Sequence, residues 1–387
     1  MNSRILSIAP SATLSITSRA KAMAAAGEKV CSFGAGEPDF DTPANFKAAA
    51  VKALNEGKTK YAPNAGIPEL RQAVAEKLQR ENGLDYAPAQ VVVSNGAKHS
   101  LFNVIMALCD PGDEIVVPAP YWLSYPEMVR IAGGTPVFVD CPEAGGFKLA
   151  PAALEAAITP RTRAVILNSP SNPTGCVYTR DELAALADVA VRRDLIIISD
   201  EIYEKLIYDG ARHVSIGSLS RAVLERTVTV NGFSKSCAMT GWRLGYLAGP
   251  PAIVEAVDAL QSHSTSGATT FAQYGALEAL RGGLEGLDRM VAAFAERRTY
   301  IHRRLSALPG LTCVRPVGAF YVLPNISALG LDSMTFTARL LEREKVAVVP
   351  GQPFGTDRHV RLSYACSLDN IREGMDRMER FVASLAR

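Results

Sequence analysis

The chain predicts an α/β protein: a mostly parallel central sheet covered by helices on both faces, followed by a smaller α+β unit. Three observations carry that expectation. From about residue 65 to residue 250, short β-branched runs alternate with helical patterns, as in βαβ units. Several of those runs are apolar without alternation, so both of their faces must be covered. After residue 250 the character changes to long helical patterns and then to mixed strands and helices. At 387 residues the chain also exceeds one ordinary core and calls for two or three units.

Taken in order, the strands are expected at Val91–Val93, Glu114–Val117, Pro136–Val139, Ala164–Leu167, Leu195–Ile198, Val228–Val230 and Leu244–Leu247. Between them, Pro68-Glu69-Leu70-Arg71 opens a helix running to Gln79, and Thr179-Arg180-Asp181-Glu182 is a capping box for a helix from Leu183 to Val191. Ile253–Ser262, Phe271–Leu280 and Leu287–Leu305 follow as helices. From Cys313 onward, strands at Gly318–Leu323, Val346–Val349 and Val360–Tyr364 mix with helices at Phe336–Glu344 and Leu368–Leu385. The segment Ala35 to Pro43, rich in glycine and proline, is the clearest loop.

Composition removes several function classes. With 41 basic and 39 acidic side chains, the formal charge of +2 gives no footprint for nucleic acid. No apolar stretch reaches the length of a membrane span, and the N-terminus lacks a signal-peptide pattern, so a cytoplasmic location is expected. Seven scattered cysteines and five dispersed histidines show no metal-ligand spacing, so no metal site is expected. The chemistry therefore calls for an organic cofactor.

In an open parallel sheet, ligands gather beyond the carboxyl ends of the strands. Lys235 follows the run Thr227–Val230 in a small-residue turn, where a poorly solvated amine loses its proton and becomes a nucleophile able to form a Schiff base. Arg243, eight residues on, offers a planar fork for a phosphate. Together they suggest pyridoxal 5'-phosphate; a core lysine beside a surface arginine is the plain alternative. Asp200 ends another strand, where a buried carboxylate would keep the cofactor's ring nitrogen protonated, although a helix N-cap is the commoner role. Tyr203 and Asn172, the latter in a loop stiffened by Pro170 and Pro173, are positioned as donors to the ring's phenolate oxygen. Ser94 to Ser100, around Gly96 and Ala97, follows a strand and opens a helix whose N–H groups could hold phosphate. Trp122 could stack on the ring or simply fill the core. Arg361, inside the apolar strand His359–Tyr364, should meet an anion such as a substrate carboxylate unless it lies on an edge facing water.

This ordered set resembles the class-I pyridoxal-phosphate aminotransferases: Ser171-Asn172-Pro173-Thr174-Gly175, Asp200-Glu201-Ile202-Tyr203, Ser234-Lys235, Met239 to Arg243, and Arg361-Leu362-Ser363-Tyr364. Gly34 to Phe40, Lys60 to Pro63 and Pro120 to Met128 resemble the bacterial aspartate aminotransferase branch. The resemblance implies a fold-type-I architecture: residues 46–290 as the large cofactor-binding domain, 1–45 as an N-terminal segment joining the small domain, and 291–387 as the rest of that domain. It also implies a homodimer with shared active sites.

Position by position, the resemblance makes Lys235 the internal Schiff-base lysine and the proton-moving base. Asp200 then pairs with the pyridinium, Tyr203 and Asn172 with the phenolate oxygen, and Trp122 with the ring face. Gly96, Ala97 and Arg243 hold the phosphate, with Ser234 able to replace a contact that Gly232 lacks and Tyr61 reaching in from the neighbouring subunit. Gly36 and Arg361 bind the α-carboxylate region, and Lys98 meets the distal carboxylate of an acidic substrate. The implied reaction is ping-pong transfer between an acidic amino acid, foremost L-aspartate, and 2-oxoglutarate. Ala9 precedes Pro10-Ser11-Ala12-Thr13 where prephenate-using members tend to carry lysine, which weighs against prephenate. An aromatic or broad-range aminotransferase, a lyase on the same fold, and a non-catalytic regulator are the alternatives.

Overall fold

A computed structural model describes residues 3–6, 8–284 and 286–385. Its strands are β1 (Cys31–Ser32), β2 (Val91–Ser94), β3 (Glu114–Ala119), β4 (Thr135–Asp140), β5 (Thr162–Asn168), β6 (Ile196–Asp200), β7 (Thr227–Gly232), β8 (Gly245–Ala248), β9 (Tyr321–Val322), β10 (Val346–Ala347), β11 (Val349–Pro350) and β12 (Val360–Ser363). Seven of them form the central sheet in the order β2-β8-β7-β6-β5-β3-β4. Only β8 runs against its neighbours, β2 and β7; the other pairings are parallel. Each expected strand of this sheet is present. The inner strands β6, β7 and β8 are buried almost throughout because their Val, Ile and Leu side chains meet helices on both faces.

The sheet order reverses direction beside β3: the chain goes outward to β4 and returns to β5 on the other side. That places the ends of β3, β5, β6 and β7 around one crevice, the usual place for a ligand. A three-stranded antiparallel sheet, β11-β12-β9, has Arg361 on its central strand. A parallel pair, β1-β10, ties residues 31–32 to residues 346–347.

Three local expectations are corrected. The strand anticipated at Gly318–Leu323 is ladder-paired only at Tyr321–Val322. The run Val346–Val349 divides between two sheets, because Ala347 pairs with Ser32 whereas Val349 pairs with Arg361. The helix from Pro68 changes at Leu78 into a π-helical turn, Leu78–Asn82, closed by Gly83 in the left-handed region. The capping box at Thr179 is present in both directions, with Glu182 and Thr179 each accepting from the other's backbone N–H.

The π-turn directs Asn82 into a buried polar cluster. Lys77 donates to Asn82 Oδ1 at 2.7 Å and is ion-paired with Glu204, while Asn82 also donates to Ser215. His213 Nε2 lies 2.8 Å from Glu201 Oε2. Glu201, Glu204 and His213 bring metal-ligand chemistry together, but the Lys77 ammonium already supplies the cation. Burial opposes the charge on Glu204, yet Lys77 and His213 hold its pKa down at about 2. Lys77→Ala should therefore destabilise the protein by about 3–5 kcal/mol, because it strands a buried carboxylate. Urea titration at neutral pH checks this. The penalty should shrink as pH falls through the ordinary carboxylate range toward about 2, where Glu204 protonates in the intact protein as well.

Candidate active site

The ends of β3, β5, β6 and β7 and the loop after β1 wall a cavity of about 420 Å³. Its walls include Gly36, Ala97, Lys98, Trp122, Asn172, Asp200, Tyr203, Ser234, Lys235, Arg243 and Arg361. Of the residues named from sequence, two stand off the wall. Gly96 lies one residue behind Ala97, and Tyr61 is 95% exposed and does not line this cavity.

Lys235 follows β7 and donates from Nζ to the Gly36 carbonyl at 2.6 Å. Burial pushes its pKa down to about 8; Glu37 and Asp200 work against that fall, and Arg243 and Arg361 add to it. Asp200, the last residue of β6, is 4% exposed. Its Oδ2 accepts from the Tyr125 hydroxyl at 2.7 Å and its Oδ1 from the Ile202 N–H at 3.2 Å. Burial raises its pKa to about 6 in spite of those donors. The N-cap alternative is set aside, since the chain after Asp200 turns rather than entering a helix.

Arg361 is 1% exposed, which excludes the edge-strand alternative. It donates to Asn172 Oδ1 and to the Gly34 carbonyl, each at 3.0 Å, and its guanidinium lies 4.5 Å from the centre of the Tyr321 ring. Among the described residues it has no acidic partner, and its Nε is buried without a hydrogen bond. Because Asn172 spends its oxygen on Arg361, its amide nitrogen remains as the donor toward the cavity. The Tyr203 and Tyr321 hydroxyls lie 2.9 Å apart.

Gly96 caps the helix Ala97–Leu108 with φ +89, and a Cβ there would sit 2.5 Å from Arg243 Nη2. The positive φ favours glycine there, and a side chain would also displace the Arg243 guanidinium. Arg243 is itself left-handed at φ 53, and its Nη2 donates to the Asn95 carbonyl at 3.4 Å. At Gly232 a Cβ would lie 2.8 Å from Gly245 Cα, so a serine does not fit there, whereas Ser234 lines the cavity. The Lys98 amine sits 4.9 Å from the centre of the Trp122 ring.

Sequence reading missed Tyr125, Tyr321 and the helix Ala12–Ala25, which lines the cavity with Thr13, Thr17 and Lys21 at four-residue spacing. Tyr125 had a usable signal, one helical turn after Trp122. Tyr321 had none, because its place depends on the register of β9 against β12.

A family model for aminotransferases of class I and II matches residues 28–378. The chain belongs to the class I and II aminotransferases. Among its relatives in this family, the aspartate aminotransferase of Geobacillus stearothermophilus is 51% identical, with 99% of each chain covered. The aspartate/prephenate aminotransferase of Cereibacter sphaeroides is 48% identical, with 98% of each covered. Among solved aminotransferase structures, that of the Thermus thermophilus aspartate aminotransferase with maleate superposes with a TM-score of 0.95 at 47% identity, covering 98% of this chain and 99% of that one. The α/β architecture with its mostly parallel seven-stranded sheet is the one this aminotransferase family shares.

Proposed function

We propose that this aminotransferase moves the amino group of L-aspartate to 2-oxoglutarate, with pyridoxal 5'-phosphate as cofactor. The charge of the cavity carries that reading: Lys21, Lys98, Lys235, Arg243 and Arg361 line it against only Glu37 and Asp200. A phosphate and two carboxylates answer such an imbalance. The residues also fit the cofactor, with a buried carboxylate, an amine at Lys235 whose pKa burial lowers to about 8, and a helix N-terminus beside an arginine. When bound, pyridoxal phosphate supplies a carbonyl carbon that accepts the amino group and a ring that takes up the electron pair released at the substrate Cα.

The chain's own residues then have distinct tasks. Lys235, partly unprotonated near pH 8, would be the amine that holds the cofactor's aldehyde carbon and the base that moves the substrate's Cα proton. Asp200 would keep the ring nitrogen protonated, and Tyr203 with the Asn172 amide would donate to the ring oxygen. Trp122 covers the ring face. Ala97, Ser234 and Arg243 hold the phosphate, with Gly96 supplying the turn. Arg361 and Gly36 take the α-carboxylate, and Lys98 takes the distal one. Donor and acceptor use this pocket in turn, a ping-pong route.

Tyr61, exposed and off its own cavity, suits a residue that serves a neighbouring copy, so we read the working form as a homodimer. The same reading makes residues 46–290 the cofactor-binding body and residues 1–45 with 291–387 the smaller one. No helix among the described residues is long and apolar enough to cross a membrane, and we place the enzyme in the cytoplasm.

A panel of amino donors with 2-oxoglutarate, compared by kcat/KM, tests the substrate assignment. Aspartate should lead. In the Lys98→Ala protein its kcat/KM should fall about 10- to 100-fold, the range of a lost charged hydrogen bond, while aromatic donors change little. An unchanged preference for aspartate removes Lys98 from its role. Prephenate is the second reading, favoured by the named relative and opposed by Ala9.

A further inference from the structure

We propose that Tyr125 is a positioning residue that keeps the shared proton on the cofactor's ring nitrogen by holding Asp200 as a weak base. The inference rests on the reading that Asp200 faces that nitrogen. Tyr125 lies in the first turn of the helix Ser124–Ala132, directly after β3 and the Trp122 loop, and is 2% exposed. Its hydroxyl is the only side-chain donor to the Asp200 carboxylate among the described residues, at 2.7 Å. Its ring meets Trp122 edge to face, with centroids 5.3 Å apart. One short segment thus places both the residue over the ring and the donor behind the carboxylate.

A carboxylate oxygen that already accepts a short hydrogen bond binds a second proton less well. Burial drives Asp200 the other way, and Glu201 beside it adds to that drive; the Ile202 N–H and the charge of Lys235 join Tyr125 in opposing it, while Tyr203 also faces this group. Without the Tyr125 hydroxyl, Asp200 becomes the stronger base and the proton moves from ring nitrogen to carboxylate. The ring then draws electrons less strongly, although every group that touches substrate is unchanged.

The experiment is the 15N chemical shift of ring-labelled pyridoxal phosphate bound to the full chain. The intact protein should show a protonated ring nitrogen, Asp200→Asn an unprotonated one, and Tyr125→Phe a shift displaced toward the Asp200→Asn value. The kcat of Tyr125→Phe should fall about tenfold, one charged hydrogen bond, with KM for aspartate little changed. Site-specific 3-fluorotyrosine at position 125, a stronger donor of nearly the same shape, should displace the shift the opposite way; it also serves if the phenylalanine variant does not hold cofactor. Shifts equal to the intact protein in both position-125 variants, with Asp200→Asn displaced, overturn the role of Tyr125 alone. An undisplaced Asp200→Asn overturns the placement of Asp200 and this inference with it.

Discussion

Lys235→Ala is expected to lose turnover by at least about 10⁴-fold, the upper range for one positioned general base. The loss should exceed that of any other substitution here, because the proposal gives this amine two tasks, covalent capture and proton movement. Its charged neighbours on the cavity wall are poor substitutes: Lys98 stands over Trp122, and Arg243 and Arg361 carry guanidinium groups rather than amines. Cofactor added to the variant should be lost on gel filtration after borohydride reduction, whereas in the intact protein it should remain attached. The pH dependence follows from the sign of the shift. Lys235 is lowered to about 8, so below that pH the amine is protonated and unreactive, and above it the amine is free. The rate at which cofactor-free protein combines with the aldehyde should therefore fall about tenfold per pH unit below about 8 and level off above it. A variant that retains normal turnover, or a combination rate flat from pH 6 to 9, removes Lys235 from the centre of the mechanism.

The fold was legible where physics is local. Continuous apolar runs such as Ile196–Ser199 must be covered on both faces, and the capping box at Thr179 encodes its own helix start. The positions after the strands were legible too, since an open parallel sheet gathers its strand ends, and Asn172, Asp200 and Lys235 all stand there. Long-range register was not. Nothing in Val346–Val349 says that the chain changes sheets at Val348, and nothing in Leu78–Asn82 marks a π-turn whose reward is a bond from Asn82 to Ser215, 133 residues away. The same limit hid Tyr321, and it hid the wall built by the N-terminal helix. Residues that do chemistry carry type and order in sequence, whereas residues that position them are seen only once distant segments meet.

The cost of holding Arg361 leads to the second large effect. Arg361 is buried with hydrogen bonds from Nη1 and Nη2 but with no carboxylate partner among the described residues, and burial lowers its pKa. A cation in that state destabilises the empty protein, and the proposed substrate carboxylate is what completes its coordination. Arg361→Met fills much of the volume with a neutral chain. In this variant kcat/KM for aspartate should fall by about 2–5 kcal/mol, roughly 30- to several-thousand-fold, as when one partner of a buried charge pair is removed. Cofactor affinity should change far less, since the phosphate and ring nitrogen are assigned to other residues. The thermal midpoint of the cofactor-free variant should stay level or rise, the opposite of the Lys77→Ala result, because Lys77 neutralises a buried acid and Arg361 neutralises none. Arg361→Lys should recover little, since a point charge cannot form two parallel bonds to a carboxylate while keeping Asn172 and Gly34 satisfied. Activity preserved in Arg361→Met, or a large fall in its midpoint, would show that this arginine holds the fold together rather than the substrate.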